Sequence, residues 1–155
     1  MIQELTDKNN INDLIEIIQV LDCEKDDFYF TRNNQRIYAK NVESLKEFLK
    51  ESYSIFYVND ENSKGIILVW KSIGEVTRNY IKIIASDLET ARKLVTVLTW
   101  TFKDKLYVKI RKDSAYILAF KEKGFSFLGG RGKQTLLEKN RSFGEPLNVS
   151  GNNKI

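Results

Sequence analysis

The sequence predicts an α/β fold of the α+β kind, with a mixed, mostly antiparallel central sheet and helices on both of its faces. Three observations predict it. Apolar residues recur at helical spacing in "NINDLIEIIQVL" and "VESLKEFLK", where positions three and four apart share a face. The pattern then changes to short runs of β-branched and aromatic residues, "YSIFYV", "IILVWK" and "YIKIIA", separated by turn-forming residues. Beyond them helix and strand patterns alternate, as in layered folds that mix the two. The 155 residues suffice for one domain with a real core. Residues 1–140 are expected to form that domain and 141–155 a C-terminal tail.

The elements follow in chain order. Met1 to Leu5 is short and partly apolar, a first strand. Asn9 and Asn10 offer caps for a helix starting near Ile11, with Ile11, Leu14, Ile15, Ile18 and Leu21 as its apolar stripe. The polar, acidic stretch "DCEKDDFYFTRNNQR" reads as a loop. Asn41 caps a second helix with Val42, Leu45, Phe48 and Leu49 on one face. Tyr53–Val58 and Ile66–Lys71 form a hairpin around "NDENSKG", and a turn at Gly74 leads to a third strand, Tyr80–Ala85. Ser86 and Glu89 have the spacing of a capping box. The helix they open carries Leu88, Ala91, Leu94, Val95, Leu98 and Phe102 on its buried face.

In Lys105–Arg111 the alternation sends Leu106, Val108 and Ile110 to one side and Lys105, Tyr107, Lys109 and Arg111 to the other. Asp113 or Ser114 opens a short helix reaching Lys123, which Gly124 ends. "FSFLG" and "QTLLEK" pair through "GRGK". After Asn140 the periodicity stops, and the tail holds the only proline, Pro146.

Composition removes several function classes. There is no histidine, so a Ser-His-Asp triad, a Cys–His pair and a His-bearing metal site are impossible; no metal site is expected. Proton transfer would fall to Asp, Glu, Lys, Tyr, Cys or water. No run of about 18 apolar residues suggests a membrane span. The single cysteine, Cys23, has no internal disulfide partner and lies among acids, which makes it a poor nucleophile. A cytoplasmic location is the expectation. Net charge is +4, but Lys105–Arg141 holds ten Lys/Arg against three Asp/Glu. A basic C-terminal third suits an acidic partner or a phosphate-bearing ligand.

The order of elements, the opening "MIQELTDKNNINDLIEIIQ" and the segment "DSAYILAFKEKGFSFLGG" resemble the GNAT superfamily, the acetyl-CoA-dependent N-acetyltransferases. Asp113 stands where the family usually has an Asn opening a short helix. Phe120 stands at the family's Tyr, and Gly124-Phe125 at its Gly-Phe. The resemblance implies that acetyl-CoA lies where Tyr80–Ala85 and Lys105–Arg111 splay apart. It implies a cofactor-binding set of Ile83, Ile84, Ala85, Leu88, Asp113 and Phe120. It also implies pyrophosphate on the amides at the next helix start, where the helix dipole favours anions. An amine would attack the thioester. With Phe120 lacking a hydroxyl, Tyr116 one turn earlier is the candidate acid, and Glu75 the candidate base. The family's glycine-bearing loop has no counterpart between Ala85 and Ala91. There Asp87 and Glu89 occupy the anion's place, and Arg92, Lys109, Arg111 and Lys112 are the cations that could compensate.

Three functions are open on this reading. One is an N-acetyltransferase acting on a small or protein amine. The second is a non-catalytic GNAT-fold binding or assembly module, such as a virus-encoded one, that has lost the cofactor site and engages a protein partner. The third, ranked last, is a nucleic-acid binder using Tyr107, Lys109 and Arg111. Exposed sheet edges permit a dimer without predicting one.

Overall fold

The computed structural model of the chain describes residues 1–72 and 76–141. Glu75 and the tail beyond residue 141 therefore lie outside the described residues. The chain opens with β1 (Gln3–Glu4) and α1 (Asn12–Val20), followed by β2 (Tyr29–Arg32) and β3 (Gln35–Tyr38). Next come α2 (Val42–Lys50), β4 (Ser52–Asn59), β5 (Lys64–Ser72) and β6 (Arg78–Ala85). The last part is α3 (Leu88–Thr101), β7 (Leu106–Arg111), α4 (Ile117–Lys121), β8 (Ser126–Arg131) and β9 (Gln134–Lys139).

Seven strands form one sheet in the order β1-β4-β5-β6-β7-β9-β8, and β2–β3 form a separate hairpin. Every pairing in the large sheet is antiparallel except β6–β7. The expected mixed sheet with helices on both faces is the observed one. Ile66, Leu68 and Ile84 face a core made with Leu14, Ile17, Leu45 and Phe48 from α1 and α2. Ile67, Val69, Ile81 and Ile83 face the opposite core, made with Ala91, Leu94, Val95 and Leu98 of α3 and Phe120 of α4. The central strands are apolar on both faces, as sheets covered on both sides must be. Among the described residues no helix is long and apolar enough to cross a membrane.

Two expectations from the sequence are corrected. The stretch 22–36 contains a hairpin as well as a loop. Asn33 and Asn34 both take positive φ, 52° and 63°, as a tight two-residue hairpin turn demands. Tyr29 and Phe30 are buried on the strand before it. The N-cap of α3 is Asp87, whose carboxylate accepts from the Thr90 N–H at 2.7 Å. Ser86 is drawn off to β5, where its Oγ accepts from the Lys64 N–H and its own N–H donates to the Lys64 carbonyl. The Ser86–Glu89 box does not form. The capping box at α2 does, between Asn41 and Ser44.

A bulge bends β4 between Tyr53 and Phe56, with Ser54 at φ 52°. It lets Tyr53 and Phe56, three residues apart, both face the α3 core, which an unbroken strand forbids.

Candidate functional site

β6 and β7 run parallel and share one register pair, Tyr80 with Tyr107, near the start of both strands. From there they part, so the sheet is open where β6 ends at Ala85 and β7 at Arg111. A cleft of about 360 Å³ lies at this opening, between the α1–β2 loop, the start of α3 and the turn before α4. Its size is within the range of small-molecule sites.

The α1–β2 loop reaches into the opening. It is held by the Phe28 N–H donating to the Cys23 carbonyl and by Asp27 at φ 53°. It places Asp26 against the end of β6, where the carboxylate accepts from the Ala85 N–H at 3.2 Å. From the other side the Tyr116 hydroxyl lies 2.8 Å from both Asp26 Oδ2 and the Ala85 carbonyl oxygen. Both backbone polar groups of Ala85 thus face side chains of the chain itself. A hydroxyl has one proton, so Tyr116 donates to one of the two acceptors at a time. Burial holds the Asp26 carboxyl above the usual carboxylate range, against the lowering effect of its two hydrogen bonds. Burial, and then the Asp26 charge, push the Tyr116 phenol well above its ordinary value, which makes it a weak proton donor.

The start of α3 is acidic. Accepting the Thr90 N–H holds Asp87 below the usual carboxylate range, so it stays charged at the helix end where a phosphate would rest. Asp26, Asp27, Asp87 and Asp113 line the cleft against two cations, Lys25 and Arg111. Arg111 pairs with Asp27 at 3.3 Å and donates to the Glu24 carbonyl. Arg92 forks onto Glu122 at 3.1 and 3.2 Å, away from the opening.

The fold as a whole is similar to a solved structure. The crystal structure of the GNAT domain of S. lividans PAT superposes with a TM-score of 0.50 and 11% identity, covering 88% of each chain. The chain has the GNAT fold. No family model matches the sequence, and no curated protein does.

Within the GNAT fold the site residues named from the sequence divide. Ala85, Leu88, Asp113 and Tyr116 stand around the opening; Leu88, Asp113 and Tyr116 line it, and Ala85 bonds across it. Ile83 and Ile84 are 4% and 0% exposed, one in each core. Phe120 is 0% exposed and packs edge-on against Phe125 in the α3–α4 core; it does not reach the cleft. Asp26, which the sequence did not single out, makes the contacts that decide the site.

GNAT domains typically hold acetyl-CoA at such an opening, and the residues here do not fit it. The pantetheine arm would need backbone groups of β6 that Asp26 and Tyr116 occupy. The pyrophosphate would meet Asp87 and Glu89 on a turn without glycine.

Proposed function

We propose that this chain is a non-catalytic binding module built on the GNAT fold, its cofactor groove closed by its own side chains. The observation that carries the reading is the clasp at Ala85, with Asp26 on its N–H and Tyr116 beside its carbonyl. A scaffold can persist after its ancestral site is lost. The partner is a protein or a small anionic ligand, and the setting is a reducing, cytoplasmic one that keeps the lone thiol reduced.

The second reading is transfer of acetyl from acetyl-CoA to an amine. It draws on the splay of β6 from β7 beyond Tyr80 and Tyr107. It requires the Asp26 loop to withdraw. Calorimetric titration separates the two. Acetyl-CoA is expected to bind no more tightly than adenosine 3′,5′-bisphosphate, which lacks the pantetheine arm. Acetyl-CoA binding tenfold tighter than the bisphosphate, or acetylation of any amine, would overturn the module reading.

A further inference from the structure

A second region of the molecule has the opposite electrostatics. Beyond the Arg111–Asp27 pair, a cleft of about 820 Å³ opens between the β2–β3 hairpin and the ends of β7, β8 and β9. It is lined by Arg36, Arg111, Lys112, Arg131 and Lys133. It continues along β7 and β9 into a further space of about 550 Å³ that adds Lys109 and shares Arg36, Arg131 and Gln134. The lining acids are Asp27 and Asp113. Asp27 is already engaged by Arg111 and by the Gln134 amide, at 3.3 and 3.4 Å. Arg36, Lys109, Lys112, Arg131 and Lys133 have no ion-pair partner among the described residues.

A second, independent observation lies behind the cleft wall. Lys82 is 9% exposed. Ile81 and Ile83 on β6 and Val108 and Ile110 on β7 face the α3 core, so the alternation puts Lys82 and Lys109 on the same, opposite face of the sheet. The Lys82 ammonium lies 4.2 Å from the Tyr29 ring centroid, and no described carboxylate reaches it. Burial, then Lys109, and more weakly Arg36 act against its charge, with Asp27 a partial offset. A buried cation without a carboxylate costs stability. An apolar side chain at this place would avoid that cost. The fold keeps the cation beside a cleft already rich in unpaired cations.

We propose that this cleft binds a small polyanion carrying two or more phosphate groups. Two of the cations without an ion-pair partner, Arg36 and Arg131, are arginines, whose planar forks grip phosphate oxygens in pairs. The set of five unpaired cations calls for several negative charges, not one. The concave shape suits a compact ligand better than a duplex. The neighbouring rings are already covered, Tyr29 by Arg36 at 4.8 Å and Tyr107 by Arg78 at 4.6 Å, which leaves them poor platforms for stacking bases. The same cations explain why the anion site is here and not at α3, where the acids stand.

The test is calorimetric titration of the full chain with inorganic pyrophosphate and tripolyphosphate at low salt, alongside thermal melts. Saturable binding near one equivalent, tighter for tripolyphosphate, is expected. The double variant R36A/R131A should weaken it at least tenfold, whereas Arg92→Ala on α3 should leave it unchanged. Arg36, Arg131 and Arg92 are surface side chains, so the variants should fold, which the melts verify. Equal stabilisation by sulfate at matched ionic strength, equal loss in Arg92→Ala, or tighter binding of single-stranded nucleic acid or an acidic peptide overturns the proposal. These ligands lack a pantetheine arm. Their failure would leave the closed groove standing, and acetyl transfer would overturn the module reading without touching this cleft.

Discussion

At Asp26 a half-buried carboxyl meets the Ala85 N–H and the Tyr116 hydroxyl, with Lys25, Asp22 and Cys23 beside it on its own loop and Asp87 across the opening. Its native-state pKa is raised, so the folded protein holds the proton more tightly than the unfolded chain. The group costs nothing below the unfolded value, about 4. The cost grows as pH rises from there to the native value and is complete above it. An asparagine has no such cost. Its amide oxygen can stand where Asp26 Oδ2 meets both the Ala85 N–H and the Tyr116 hydroxyl, so both contacts persist without a buried charge. Asp26→Asn should therefore melt higher than wild type at pH 7, with the gap narrowing toward pH 4. A lower melting point at pH 7 contradicts this account. Tyr116 could be picked from the sequence by its place one turn before Phe120. Asp26 could not, because "EKDDF" reads as a solvated run and only the tertiary fold carries it to the end of β6.

Among the elements, α3 packs against β5 at Gly65 with no room for a side chain. A Cβ there would come within 2.8 Å of Leu94 Cδ1 and 2.9 Å of the Ile84 carbonyl oxygen. The leucine tip can swing aside; the backbone oxygen cannot. Gly65→Val should cost about 1–3 kcal/mol, the range for overpacked cores, read from urea denaturation. A neutral result would mean that α3 and β6 do not close on β5 so tightly at Gly65. The α1–β2 loop is pinned from its other end by Cys23, whose buried thiol donates to the Ala39 carbonyl at 3.3 Å. Burial, with Asp22 and Asp26 adding to it, pushes this thiol up to about 11, so little thiolate exists at neutral pH. A disulfide reagent should leave native protein unlabelled at pH 7.5 and label it fully in denaturant; rapid native labelling would show that the loop opens. Elements were legible wherever one face is apolar and the caps are local, as at Asn41 and in Leu106–Arg111. The hairpin at Asn33–Asn34 was hidden by its polar flanks, although asparagine is among the residues that dominate turns with positive φ. The cap of α3 was misplaced because Ser86 has a partner on β5, which no local rule reveals.

For the whole molecule the question is whether two cores make one cooperative unit. The two clusters share the strands between them. On β5 alone, Ile66 and Leu68 face α1 and α2, whereas Ile67 and Val69 face α3. Neither core can come apart without stripping the opposite side of the same backbone. Phe48 and Leu98 lie in different clusters and are each 0% exposed. Phe48→Ala should cost about 3–5 and Leu98→Ala about 2–5 kcal/mol, and the costs should add within about 0.5 kcal/mol because the two side chains lie in different clusters on opposite faces of the sheet. Each variant should unfold in a single transition. Helical circular dichroism samples helices on both faces. Tryptophan fluorescence samples chiefly Trp70, which packs against the α1–α2 core, because Trp100 is already 80% exposed. The two signals should coincide in wild type and in both variants. Separate midpoints, with fluorescence lost first in Phe48→Ala, would show two folding units joined at a sheet. The clasp at Ala85 would then close only one of them. Coincident curves would mean that the Asp26 loop, tied to one face, and Tyr116, tied to the other, are held at Ala85 by the stability of the whole fold.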